Sequence, residues 1–166
     1  MKTDISGCLE LSTTGVYVLL LSVSEETVLD VGGLGTQTFP KGYYAYTGSA
    51  LGKGSTNLKH RLARHQRKQK QLFWHIDYFL ANNNVTIEKT VAAETTKKLE
   101  CTTNCYLKTL ADTTIPVNGF GALDCTNNCK SHLLYFPELG STDFLVQKLV
   151  LYLESLADVS SVVIID

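Results

Sequence analysis

"YYAYTGSA", residues 43–50, reads as a strand running into a Gly-Ser turn, and the segment beyond it is crowded with positive charge. Aromatic residues suit a pleated, half-buried surface. The wider stretch "TQTFPKGYYAYTG" (36–48) then makes one strand, kinked or bulged near Pro40 and Gly42. Gly48 ends that strand, "SALGKGS" turns, and Ser55, Thr56 or Asn57 caps the helix that follows. On this helix Leu58 and Leu62 are four apart and share the core face, while Arg61 and His65, also four apart, share another. Between Lys53 and Lys70 lie seven cations (Lys53, Lys59, Arg61, Arg64, Arg67, Lys68, Lys70), with His60 and His65 and no acid. The net charge is −1, so this segment is a local positive face on a near-neutral chain, and such a face suits a polyanion. A solvated helix face is the competing reading.

Outward from that stretch, "GVYVLLLSV" (15–23) is a buried strand and "ETVLDVGG" (26–33) a second, joined to 36–48 as an antiparallel meander. A helix covers 72–82, with Phe73, Ile76 and Leu80 supplying core. A strand covers 85–93, and a helix 95–110 buries Leu99, Tyr106, Leu107 and Leu110. "PVNGFGALDCTNNC" (116–129) is loop and "SHLLYF" (131–136) a short strand. The helix 141–156 carries Phe144, Leu145, Leu149, Tyr152, Leu153 and Leu156 at helical spacing, and 159–166 closes as a strand. The class is α+β, a small, mainly antiparallel sheet flanked by helices. We expect one domain over 1–166: a core at about 15–136 and an added C-terminal helix and strand at about 141–166, packing on the core or offering a dimer surface. No apolar run approaches the roughly 20 residues of a membrane helix. The apolar run at 16–23 follows Asp4 and Glu10 instead of a basic leader, which argues against a secretory signal and for a cytoplasmic protein.

Cutting a phosphodiester needs a base for water, a cation for the transition state and usually a metal on a phosphate oxygen. Tyrosine assists if a nearby cation lowers its pKa. Arginine clamps phosphate with its planar fork. A helix carboxylate holds Mg²⁺. At these residues the chain resembles the GIY-YIG nuclease superfamily: "GVY" with Tyr17, then "YTG" with Tyr46, then "LKHRLARH". From Gly15 to Phe136 it looks like a poorly characterised GIY-YIG-like family of small prokaryotic proteins, with "TFPKGYYAYTGSA", "RLARH", "WHIDYF", "EC", "GFGALDC" and "SHLLYF" as the shared pieces. The resemblance implies metal-dependent cleavage of nucleic acid, DNA ahead of RNA, with repair as one setting. It implies that Tyr17 or Tyr46 orients or activates water, that Arg61 stabilises developing charge, and that His65 is an accessory. Gly48, Ser49, Lys53 and Arg64 would contact substrate, Gly48 by letting phosphate approach the backbone. Glu100, with Glu94 as second choice, would hold Mg²⁺ or Mn²⁺. Tyr17 and Tyr46 are 29 positions apart, room for an extra strand between them.

His75 and Asp77 of "WHIDY" and His132 of "SHLLYF" are further candidates; two apart on a helix, His75 and Asp77 point to different faces. Were His75 and His132 both to approach Glu100, the site would have more ligands than a simple nuclease. Five cysteines remain: Cys8, Cys101, Cys105, Cys125 and Cys129. Two C-x₃-C pairs suggest Zn²⁺ through Cys101, Cys105, Cys125 and Cys129, although C-x₂-C knuckles are the usual zinc spacing. Disulfides are disfavoured in a reducing cytoplasm, which leaves buried free thiols as the favoured reading. Three functions compete: a metal-dependent phosphodiesterase, a nucleic-acid-binding module without turnover, and a Cys/His metal protein.

Overall fold

The computed structural model describes residues 14–166. Its central strand is β1 (Gly15–Val23), whose side chains are buried on both faces except at Ser22. That explains a continuous apolar run where a one-sided strand would alternate. With β4 (Gly42–Ala50), β5 (Val85–Glu94), β6 (Leu133–Phe136) and β7 (Ser161–Ile165) it forms a five-stranded sheet in the order β6–β4–β1–β5–β7. Every pairing is antiparallel. Among the described residues four α-helices flank the sheet: α1 (Leu58–Gln66), α2 (His75–Ala81), α3 (Glu100–Lys108) and α4 (Asp143–Glu154). The protein is thus α+β.

The meander is corrected. β1 pairs directly with β4, from Gly15 opposite Ala50 to Val23 opposite Gly42. Between them, β2 (Thr27–Asp30) and β3 (Thr36–Phe39) fold out as a separate two-stranded ribbon. The break falls where the sequence has Pro40 and Gly42: proline lacks the ladder N–H, and Gly42 takes φ +141, a conformation L side chains rarely adopt. The expected single strand 36–48 is therefore two, and the second continues past Gly48 to Ala50.

One sheet face packs Tyr17, Leu19, Leu21, Tyr44 and Tyr46 against Leu58 and Leu62 of α1, Ile76 and Phe79 of α2, and Phe120. The other packs Val16, Val18, Leu20 and Phe136 against Leu107 of α3 and Leu145, Leu149 and Leu153 of α4. α2 starts at His75, later than expected, so Phe73 lies ahead of the helix and is 76% exposed instead of supplying core. α3 starts at Glu100; Cys101, Thr103 and Asn104 share its buried face with Leu107, while Leu99, Tyr106 and Leu110 are only partly covered. Tyr106 instead stacks flat on Tyr152 of α4, centroids 4.0 Å apart. Phe144 of α4 is exposed. The C-terminal strand β7 extends the sheet beside β5, from Glu94 opposite Ser161 to Thr90 opposite Ile165. No helix among the described residues is long and apolar enough to cross a membrane. Cys8 lies outside the described residues.

Candidate functional site

Antiparallel pairing brings Tyr17 of β1 opposite Gly48 of β4, and strand alternation puts the Tyr17 and Tyr46 rings on the same face, under α1. Here they help line a cleft of about 490 Å³ that also takes in Ser49, Arg61, His65, Glu100 and His132. The 29-residue separation closes because the β2–β3 ribbon loops out and returns the chain to its starting neighbour.

α1 begins at Leu58 because the Asn57 side chain accepts from the His60 N–H at 3.0 Å. That fixes the helix phase. Arg61 then donates from Nη1 to the Ser49 carbonyl at 2.7 Å, and His65 Nε2 lies 2.8 Å from the Tyr17 hydroxyl. Ser49 also donates its hydroxyl to Glu100 Oε2 at 3.0 Å, so one residue ties the arginine to the carboxylate. Glu100, in the first turn of α3, has its other oxygen 2.9 Å from His132 Nδ1. Tyr46 makes no hydrogen bond through its hydroxyl to a described residue, and it faces the cleft.

Burial, with the neighbouring Tyr46, pushes the Tyr17 phenol well above its ordinary pKa, although Arg61 pulls the other way. Burial likewise raises Tyr46, helped by Glu100 and opposed by Arg61. Both phenols therefore stay protonated, and the expected lowering by a nearby cation is overcome by desolvation. His65 is held to about 3, first by burial and then by Lys70, with Arg61 and Arg64 adding to it against Asp77.

The other expected site residues fall in varied places. Gly48 lines the cleft, but the space a Cβ would take there is filled by the Tyr17 ring, 2.4 Å away. Its missing side chain admits the phenol. Lys53 is exposed in the turn before α1 and lies outside the cleft. Arg64 turns to Asp77 at 2.6 Å, and Asp77 is fully buried, accepting from the Phe73 and Trp74 N–H groups at 3.0 and 2.9 Å. Both have structural partners in place of the cleft. Glu94 ends β5 away from the cleft. His75 lines it and accepts from the Gly121 N–H at 2.9 Å, so His132 reaches Glu100 and His75 does not.

Several cleft residues were not anticipated, among them Lys98, Trp74 and Leu123. Lys98 sits on the approach to α3. Trp74 carries both Arg61 and Arg64 on its indole, at 4.7 and 4.8 Å. Leu123, 71% exposed, stands at the wall with Phe73. The "FWH" aromatic pair beside a basic helix was the available signal for Trp74; nothing in the sequence marked Lys98.

Beside Glu100, four groups converge. Cys101, Cys125, Cys129 and His132 place their donor atoms within 4.8 Å of one another, a set able to hold a metal ion. Cys101 Sγ is 3.5 Å from Cys125 Sγ and 3.9 Å from His132 Nε2. Burial opposes the Cys125 thiolate, but N–H groups of Cys129 and Asn127 favour it and hold its pKa down. Burial pushes Cys129 up, together with the adjoining sulfurs. The expected set is corrected at one position: Cys105 is exposed and His132 replaces it. Four residues advance about 6 Å along a helix. Cys101 sits at the N-terminal end of α3, beside the cluster, and Cys105 is a turn beyond it.

The family model for a domain of unknown function, DUF123, matches residues 16–154. The chain belongs to this family. The matched region of the DUF123 domain runs from β1 to the last residue of α4, so it includes both the cleft and the Cys/His cluster. No curated protein and no solved structure matches the chain.

Proposed function

We propose that this DUF123 domain hydrolyses phosphodiester bonds in nucleic acid, as a GIY-YIG-type endonuclease dependent on Mg²⁺ or Mn²⁺. One observation carries the reading: Tyr17, Tyr46, Arg61, His65 and Glu100, drawn from four elements, line one cleft. Glu100 suits a hard divalent cation, since it offers carboxylate oxygen at a partly exposed wall, and one carboxylate plus water and phosphate is a common Mg²⁺ arrangement. The bound ion would offset charge on a phosphate oxygen.

The protein's own groups do the rest. The open Tyr46 hydroxyl orients the attacking water. The Tyr17 hydroxyl lies 2.8 Å from His65 Nε2; in the tautomer with the imidazole proton on Nδ1 the phenol donates to His65, and a lone pair of Tyr17 not taken by Arg61 faces that water. As water loses its proton to Tyr17 Oη, Tyr17 passes its own to His65. Burial first, and then Lys70, Arg61 and Arg64, hold His65 neutral in the free protein; a phosphate bound at Arg61 offsets part of that charge and raises its basicity. Arg61, anchored on Ser49 and the Trp74 face, meets the charge developing on the phosphoryl group. Exposed Phe73 and Leu123 at the wall suit a nucleobase face.

A second reading, binding without turnover, draws on the burial of Tyr17, which is only 2% exposed. Purified protein should be assayed on nicked, branched and single-stranded DNA and RNA with Mg²⁺ or Mn²⁺. Cleavage should need the ion and fall about 10²–10³-fold in Arg61→Ala with the fold retained. Undiminished cleavage by that variant removes the mechanism, and metal-dependent binding without cleavage selects the second reading.

A further inference from the structure

We propose that Cys101, Cys125, Cys129 and His132 hold a structural Zn²⁺, separate from any ion on Glu100, which fixes the 109–132 segment as the cleft wall and positions Glu100 through His132. The zinc site stands whether or not the cleft cleaves nucleic acid.

Distances favour a single tetrahedral ion. Zinc–sulfur bonds of about 2.3 Å put tetrahedral donors roughly 3.8 Å apart. Here Cys101–Cys125 and Cys101–His132 span 3.5 and 3.9 Å, and all four donors lie within 4.8 Å. A two-iron cluster would set the ligands of one iron farther from those of the other. A disulfide needs sulfurs about 2.05 Å apart, and these cysteines are free. Three thiolates and an imidazole form a soft set that selects zinc over Mg²⁺ or Ca²⁺. Four protein ligands also close the coordination, as in structural zinc sites.

Regular structure contributes little to holding the segment, which is anchored in the core by Val117 and Phe120. Residues 109–132 contain no helix or strand, only turns and the single bridge Thr114–Tyr135. Segments of that length without regular structure are uncommon in compact domains. Yet this one supplies Gly121, Leu123 and Asp124 to the cleft. The ligands join it at three places: Cys101 on α3, Cys125 and Cys129 within the loop, and His132, whose carbonyl accepts from Thr47 N–H beside β4. Metal on Nε2 leaves the His132 proton on Nδ1, the nitrogen that lies 2.9 Å from Glu100 Oε1. A carboxylate behind a ligating histidine is the usual second partner of such a metal. Here that carboxylate is the one in the cleft, so the zinc site sets its direction.

Metal analysis of the full chain, purified under reducing conditions without chelator, should find about one zinc per chain. Cys105→Ser should keep it; Cys125→Ser and Cys129→Ser should lose it. Because those two can fail to fold, the wild-type protein is also alkylated with iodoacetamide and mapped by mass spectrometry. Cys105 should react at once, and Cys101, Cys125 and Cys129 only after 1,10-phenanthroline removes the metal. Protein without zinc, iron with a visible chromophore in its place, a Cys101–Cys125 disulfide, or labelling indifferent to the chelator would each overturn the site. His132→Cys tests the positioning. It should keep the zinc while Mn²⁺ affinity, read by electron paramagnetic resonance, weakens about 10-fold or more. Retained zinc with unchanged Mn²⁺ binding, in a wild-type protein that does bind Mn²⁺, overturns the link to Glu100.

Discussion

His65 is where burial and charge meet most sharply. Its ring lies between Tyr17, Tyr46 and Trp74, with Lys70, Arg61, Arg64 and Asp77 as the charges that act on it. Its Nδ1 is buried without a hydrogen-bond partner. Taking a proton there would bury a charge among cations, so the folded pKa falls to about 3 from the ordinary 6.5. The unfolded chain binds this proton below about pH 6.5, and the folded chain does not until near 3. Stability is then fully present above about 6.5 and declines as pH falls toward 3, by up to about 4 kcal/mol. Burial lowers His75 as well, in the same direction. Urea melts between pH 7 and 4 should show the decline, and His65→Gln should flatten part of it. An equal slope in wild type and His65→Gln would show that the proton goes elsewhere. The sequence placed His65 four residues from Arg61, which was enough to set it beside the arginine on α1. It did not show the depth of burial, because that depends on Trp74 and the sheet closing over the ring from other parts of the chain.

α1 and α2 are held together by a clamp that a reading of single residues misses. Buried Asp77 caps α2 through the Phe73 and Trp74 N–H groups, takes Arg64 of α1 at 2.6 Å, and has Lys70 3.8 Å from its other oxygen. Burial alone would raise the Asp77 carboxyl; those N–H groups and Arg64 outweigh it and hold it below the ordinary range. Asp77→Ala should cost about 3 kcal/mol, since it takes the counter-charge from half-buried Arg64 and from Lys70 and removes a cap. Asp77→Asn keeps an acceptor for the cap and should cost less. Denaturant midpoints at pH 7 measure both, and equal small losses would mean the clamp carries little. Asp77 was legible as a candidate because "WHIDY" stands out, but a helix interior gave no sign that its carboxylate turns back to its own N-terminus. Elements with strong local signals were readable: β1 from its apolar run, α1 from Asn57 and the Leu58/Leu62 pair. The β2–β3 ribbon was not, because the choice between meander and excursion is made by β1–β4 pairing across nearly thirty residues. The Cys/His cluster was half readable. Cys101, Cys125 and Cys129 stood out as cysteines, whereas His132 enters only because Thr47–His132 pairing continues β6 alongside β4.

Across the whole molecule, the basic segment is less available than its sequence suggests. Of its seven cations, Arg64 and Lys70 serve Asp77, and Lys68 holds the Leu80 and Val85 carbonyls at 3.1 and 3.2 Å. Arg61 remains in the cleft with Lys98, Arg67 lines the groove beside Arg61 and Trp74, Lys59 is half-buried on α1, and Lys53 is exposed in the preceding turn. These five cations have a measurable signature if the protein binds duplex DNA as proposed. Each phosphate neutralised contributes about −0.9 to the slope of log K against log salt, so five give about −4.5, whereas adding Arg64, Lys68 and Lys70 would give about −7. Titrations across a range of KCl decide between them, and Lys98→Ala should make the slope shallower by about one. A slope near about −7 would mean that the Asp77 clamp opens on binding and releases its cations to the backbone. Salt-independent binding would take the polyanion away from this face altogether, and the nuclease proposal with it.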